Sequence, residues 1–206
     1  MARYTGPKGR VNRRLQTLIY ENGGASRALE KRGNQPPGMH GTGRRSRPSV
    51  YGLALMEKQK IKHYYGLGER QLRRYFGKAT RAKGNTGENL LLLCEQRLDN
   101  VIRRVGLTKT RPQARQGIAH GHFRVNGTKV DKPSYMLRPG DVITVRGKAN
   151  LLTMYHGLRE QGIEGEGLEW VSLDTETLTA TVNGAPSGSD ISLPVDANTV
   201  VEFSSR

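Results

Sequence analysis

The chain has 206 residues, 34 of them Lys or Arg against 18 Asp or Glu, and its formal net charge of +16 repels itself in a compact state unless a polyanion lies against it. Leu, Ile, Val and Phe supply 44 of the 206 residues, just above the roughly 20% level at which high charge comes to mean disorder, so one to two small domains are expected. No apolar run approaches the roughly 18 residues that span a bilayer, the first residues do not resemble a signal peptide, and the single cysteine, Cys94, excludes a disulfide scaffold and a Cys-rich zinc site.

Residues 151–206 hold 2 basic and 9 acidic residues, which leaves 32 and 9 for residues 1–150. A nucleic-acid surface is therefore expected in the first three quarters of the chain. Residues 1–48 are rich in Gly, Pro and Arg and read as a basic, flexible arm, with a short helix over Val11 to Tyr20 and extended chain beyond it. From Ser49, Tyr51, Leu55, Ile61, Tyr64 and Tyr65 recur at helical spacing. Gly66 to Gly68 breaks the pattern, and Glu69 to Lys83 restarts it with Leu72, Tyr75, Phe76 and Ala79 inward. This predicts a helical hairpin within a domain at 49–94, to which the extreme C-terminus is a candidate addition.

Asn85 reads as the cap of one long helix running to Val105. Leu91, Cys94, Leu98, Val101, Ile102 and Val105 share its apolar face, and Arg97, Asn100 and Arg104 form a polar row. Thr110, Pro112 and Gln113 carry a capping signature for a short helix to about His120, with Arg111 and Arg115 one turn apart. Asn126-Gly127 between alternating residues predicts a two-residue β-hairpin in which Val125 faces Thr128, Arg124 faces Lys129 and Phe123 faces Val130. Two cations side by side cost stability unless an anion sits between them. Pro139-Gly140-Asp141 predicts a turn before a strand at 142–146, Gly147 onward reads as a polar stretch, and strands are expected near 170–173, 178–182 and 200–203. The fold class is thus α+β: a helical N-terminal domain plus a small module of two helices and a β-hairpin (95–158), extended by acidic C-terminal strands (159–206) into a mostly antiparallel sheet.

Cys94 on the apolar face reads as a core residue. His120 and His122 lack an evident third metal ligand, Gly66-Leu67-Gly68 lacks the third glycine of a dinucleotide loop, and Gly77-Lys78 lacks the rest of a phosphate-binding loop. The tyrosines from Tyr51 to Tyr75 read as core or interface. No catalytic residue and no cofactor are expected.

Arg97-Leu98-Asp99-Asn100-Val101, Thr110-Arg111, Ala114-Arg115-Gln116, Val125-Asn126-Gly127 and Pro139-Gly140-Asp141-Val142-Ile143 resemble the small RNA-binding module named after ribosomal protein S4. Met1-Ala2-Arg3-Tyr4, Pro36-Pro37-Gly38, Glu57-Lys58-Gln59-Lys60 and Lys83-Gly84-Asn85-Thr86-Gly87-Glu88 are similar to the bacterial small-subunit S4 family over its whole length. The resemblance implies a cytoplasmic, ribosome-bound protein that binds the 5′ domain of small-subunit ribosomal RNA, nucleates assembly and contributes to translational accuracy. It also implies a neighbouring protein, S5, and a position near the path by which messenger RNA enters. The arm has no cysteine, so it is similar to the zinc-free branch and no metal is expected. The family often has Gln where Met39 stands. The alternative is an RNA-modifying enzyme of the pseudouridine synthase type, carrying the same module beside a large catalytic domain for which the 56 residues after Asn150 leave little room.

The candidate RNA contacts follow from the same pattern. Arg3, Tyr4, Lys8, Arg13, Arg14, Arg44, Arg45 and Arg47 are expected on the arm, and Lys58, Lys60, Lys62, Arg70, Arg73 and Arg74 on the helical hairpin. Arg97, Asn100, Arg104, Arg111, Arg115, His120, Arg124, Asn126 and Lys129 are expected on the module, most of them on one surface across its two helices and hairpin.

Overall fold

The computed structural model describes residues 4–32, 35–39, 41–43, 47–161 and 165–205. It is α+β, with nine α-helices and one five-stranded antiparallel sheet among the described residues. The chain divides into two compact units, one of Met1–Leu90 with Leu193–Arg206 and one of Leu91–Ser192.

In the first unit, α1 (Lys8–Leu15) buries Val11 and Leu15 and ends sooner than expected. Gln16 turns left-handed at φ 52°, and the buried Asn12 holds the reversal: its Oδ1 accepts from the Ile19 and Tyr20 amides and its Nδ2 donates to the Tyr20 carbonyl at 3.0 Å. The extended chain expected next is corrected at α2 (Gly23–Arg32), which packs on α1 through Ala25. Ser49 caps α3 (Val50–Tyr64) by accepting from the Gly52 amide. In α4 (Glu69–Ala79), Leu72, Tyr75 and Ala79 are buried, and spacings of three and four place Arg70, Arg73, Arg74 and Lys78 in solvent. The strand expected near 200–203 is a helix, α9 (Ala197–Ser205), whose first turn is held by the Asp196 carboxylate and whose Phe203 ring packs 5.1 Å from that of Tyr51. Two adjacent valines favour a strand locally; packing along α3 overrides them.

The long helix expected from Asn85 is two helices. The Asn85 Oδ1 accepts from the Gly87 amide and starts α5 (Thr86–Glu95). Arg97 is then extended, and α6 (Leu98–Arg104) follows. The break is fixed from outside, since the Leu98 amide donates to Tyr135 O, the Asp99 amide to Pro133 O and the Leu137 amide to Gln96 O. α7 (Arg111–Ala119) is capped by Thr110, whose Oγ1 accepts from the Gln113 amide. The sheet runs β2-β1-β3-β5-β4, from β1 (Phe123–Val125), β2 (Thr128–Lys129), β3 (Val142–Val145), β4 (Val171–Asp174) and β5 (Thr179–Val182). The stretch after Gly147 is corrected to a helix, α8 (Ala149–Glu160), which buries Tyr155 and rests Leu151, Leu152 and Leu158 on the core. That core joins Leu98, Val101, Ile102, Ile118, Phe123, Ile143 and Trp170, and its buried faces on α6, α7 and β1 orient the polar groups described next.

Candidate RNA interface

Five of the residues expected on the module surface are buried instead. Arg97 is 0% exposed, Asn100 1%, Arg104 6%, Arg115 7% and Arg111 9%. Arg97 donates to both Asp99 oxygens at 3.0 and 2.7 Å, and Arg115 Nη1 to Asp99 Oδ2 at 3.0 Å. Asn100 Nδ2 donates to Glu95 Oε2 at 2.5 Å while its Oδ1 accepts from Arg111 Nε at 2.9 Å. Arg104 reaches Glu95 Oε2 at 2.9 Å, Glu166 Oε2 at 2.7 Å and the Asp190 carbonyl at 2.5 Å. Burial alone would lower the Arg104 pKa, and the carboxylates of Glu95 and Glu166 outweigh it and raise it. The structure does not bring these five residues to the expected surface; they form a buried ionic frame that ties α6 and α7 to the segments around Glu166 and Asp190.

The hairpin is oriented by this frame and by β3. Its register is Arg124 opposite Lys129 and Val125 opposite Thr128, as expected. Asn126 at φ 50° and Gly127 at φ 77° make the turn. The side chain of Asn126 is a strut: Nδ2 donates to Asp141 Oδ1 and Oδ1 accepts from the Val142 amide, both at 2.8 Å. Phe123 and Val125 enter the core, which turns Arg124 to solvent. The Lys129 stem crosses Gly121, whose φ of 71° and missing Cβ leave room for it. Arg124 and Lys129 are exposed and form no ion pair among the described residues. His120 is exposed, with its ring nitrogen 2.6 Å from Gln116 Nε2.

On the first unit, carboxylates claim part of the expected set. Lys58 and Lys62 meet Glu69, and Lys60 meets Glu57 at 2.6 Å. Glu69 is thereby held below the usual carboxylate range, chiefly by its hydrogen bond from Lys58. Arg13 is committed to backbone, donating to Gln35 O and Pro36 O at 2.9 Å. Lys8 lies over the Tyr20 ring, and Tyr4 stacks beside Tyr20. Arg14, Arg47, Arg70, Arg73 and Arg74 are exposed without an ion pair among the described residues. Arg3, Arg44 and Arg45 lie outside the described residues.

Other exposed or half-exposed cations were missing from the expected set. Arg10, Lys78, Arg81 and Lys83 continue the faces of α1 and α4, where extending the helical period would have found them. Arg146 and Lys148 join His120 and His122 around a cleft of about 430 Å³ at the start of α8, a helix the sequence pattern hid. Burial and the neighbouring His120 charge lower the His122 pKa, and its Nδ1 lies 3.0 Å from the Tyr155 hydroxyl. Burial pushes the Cys94 thiol up to about 12, as befits a core residue. Among the described residues no cluster of His, Cys, Asp or Glu could hold a metal ion, and no helix is long and apolar enough to cross a membrane.

Two helices framing a hairpin that carries free cations define an RNA-binding module of the S4 type. A family model for the S4 domain matches residues 96–143, and one for the ribosomal protein S4/S9 N-terminal domain matches residues 3–95. The chain is 69% identical over its full length, and over all of the relative, to small ribosomal subunit protein uS4 of Rhodopirellula baltica. It is 47% identical to uS4 of Rubrobacter xylanophilus and 43% to that of Hahella chejuensis, again over all of both chains. The chain belongs to the uS4 family of small-subunit ribosomal proteins, a family of structural proteins, which decides against the RNA-modifying enzyme.

Proposed function

We propose that this protein is a structural component of the small ribosomal subunit that binds small-subunit ribosomal RNA directly, at a helix junction in the 5′ domain. The observation that carries this reading is the sorting of its cations: module arginines locked internally by carboxylates, and exposed cations of α1, α4 and the hairpin left without them. Structured RNA offers phosphates and 2′-hydroxyls to such side chains, because its major groove is too narrow for them to read base edges. By neutralising backbones that repel each other, exposed cations carried on two units of one chain lower the cost of bringing RNA helices together, which is how it nucleates assembly. The resemblance to the S4 family supports a position beside S5 and near the path of incoming messenger RNA, where it contributes to translational accuracy, in the cytoplasm. Binding of the full chain to a transcript of the 5′ domain, with a transcript of another subunit domain as competitor, tests the reading. Preferential retention of the 5′ domain is expected, and equal affinity for both would overturn it.

A further inference from the structure

One cleft of the first unit, about 770 Å³, differs from the cationic faces around it. Val11, Leu15 and Leu55 give it apolar walls, and no carboxylate lines it among the described residues. Its far wall is built: Arg13 on α1 grips the Gln35 and Pro36 carbonyls, which sets Pro37 and Gly38 across from α3. Its aromatic end is built as well, because the Asn12 clamp fixes Tyr20, whose hydroxyl lies 3.2 Å from His63 Nδ1, and the Tyr4 ring meets the His63 ring edge-on at 5.1 Å. Gln59 and His63, one turn apart on α3, bring polar groups into this apolar setting. Burial and the Lys62 charge lower the His63 pKa. At the rim, Arg10 and Arg14 stand one turn apart on α1, exposed and without an ion pair among the described residues.

A regular RNA backbone needs cations but no apolar cavity. An unpaired nucleotide needs both: a flat apolar face, a hydrogen-bonding edge and a phosphate. The cleft supplies apolar walls and an aromatic end for the first, Gln59 and His63 for the second, Arg10 and Arg14 for the third, and its volume falls in the roughly 300–1,000 Å³ range of ligand pockets. We propose that this cleft receives the base of one unpaired nucleotide of the bound RNA, with Gln59 and His63 at the base edge and Arg10 and Arg14 at its phosphate. The inference rests on the RNA-binding reading above and adds a base-reading element to it.

The test uses the full chain, a transcript of the 5′ domain of small-subunit ribosomal RNA, and reagents that modify Watson–Crick edges of unpaired bases. Leu55→Trp fills the cleft, and Gln59→Ala removes a hydrogen-bonding group while leaving the volume open. With the unaltered protein, one unpaired base is shielded. Leu55→Trp exposes that base and weakens binding about tenfold, the rest of the footprint and the salt slope remaining unchanged. Gln59→Ala exposes the same base with a smaller loss and decides the matter alone if Leu55→Trp does not fold. Retained protection of every base in the folded variants overturns the inference. If free AMP or GMP saturates the cleft in the absence of RNA, shifting the His63 ring resonances, the cleft is a mononucleotide site and the inference is likewise overturned. A protein that fails to bind the transcript at all overturns the RNA-binding reading and takes this inference with it.

Discussion

Asp99 and Arg124 lie at opposite ends of what an ionic side chain does in this protein. The Asp99 carboxylate is 5% exposed and holds two arginines, so Asp99→Ala strands two buried guanidinium groups and should cost about 3–5 kcal/mol. Urea unfolding should show the loss as an earlier midpoint at unchanged slope. Arg124→Ala should leave the unfolding free energy within about 0.5 kcal/mol, since the side chain is exposed and unpaired by carboxylate among the described residues. It should instead weaken RNA binding and reduce the salt slope by about one contact. Lys129→Thr relieves the cross-strand repulsion but loses the stem packed on Gly121, so stability should change little while the salt slope again falls by about one. Were Lys129→Thr to unfold the hairpin and spare RNA affinity, the residue would be structural. The difference between Arg97 and Arg124 could not be read from the sequence, because a carboxylate two positions from an arginine can pair with it or leave it in solvent depending on the local backbone. What separates them is Asp99 folding back onto Arg97 once the chain breaks there, which the pairing with residues 133–137 decides.

At the scale of elements, legibility tracks how local the determinants are. The Asn126-Gly127 hairpin and the Thr110 cap were readable because backbone sterics and one hydrogen bond settle each of them. α8 was hidden by Gly157 and by an apolar face with a single fully buried side chain, and α9 by its paired valines. The break between α5 and α6 depends on a segment some 35 residues away in sequence. Two outcomes follow from the local determinants. Thr110→Ala removes the α7 cap and should lower stability by about 1 kcal/mol in thermal unfolding. Gly127→Val forces a β-branched residue to positive φ, at a cost of about 1–2 kcal/mol, and should lower RNA affinity too because it moves Arg124 and Lys129 apart. Amide exchange should rank the helices by burial: α2, with only Ala25 buried, should exchange much faster than α6, where Leu98, Val101 and Ile102 are fully enclosed.

For the whole molecule, the charge distribution that first suggested a polyanion partner has a structural counterpart. The acidic quarter contributes Glu166 to the ionic frame and β4 and β5 to the sheet, so it completes the module from within. In the proposed reading the cations left in solvent carry the binding, and binding through them displaces the counterions condensed on RNA. The most direct test is the affinity of the full chain for a 5′-domain transcript, measured across a salt series at constant magnesium. If six to ten of the exposed cations engage phosphate, log affinity should fall linearly with log salt, losing roughly 10³–10⁵ between about 50 and 200 mM, and Arg124→Ala should make the line shallower. An affinity nearly independent of salt, or a slope unmoved by that substitution, would contradict the account.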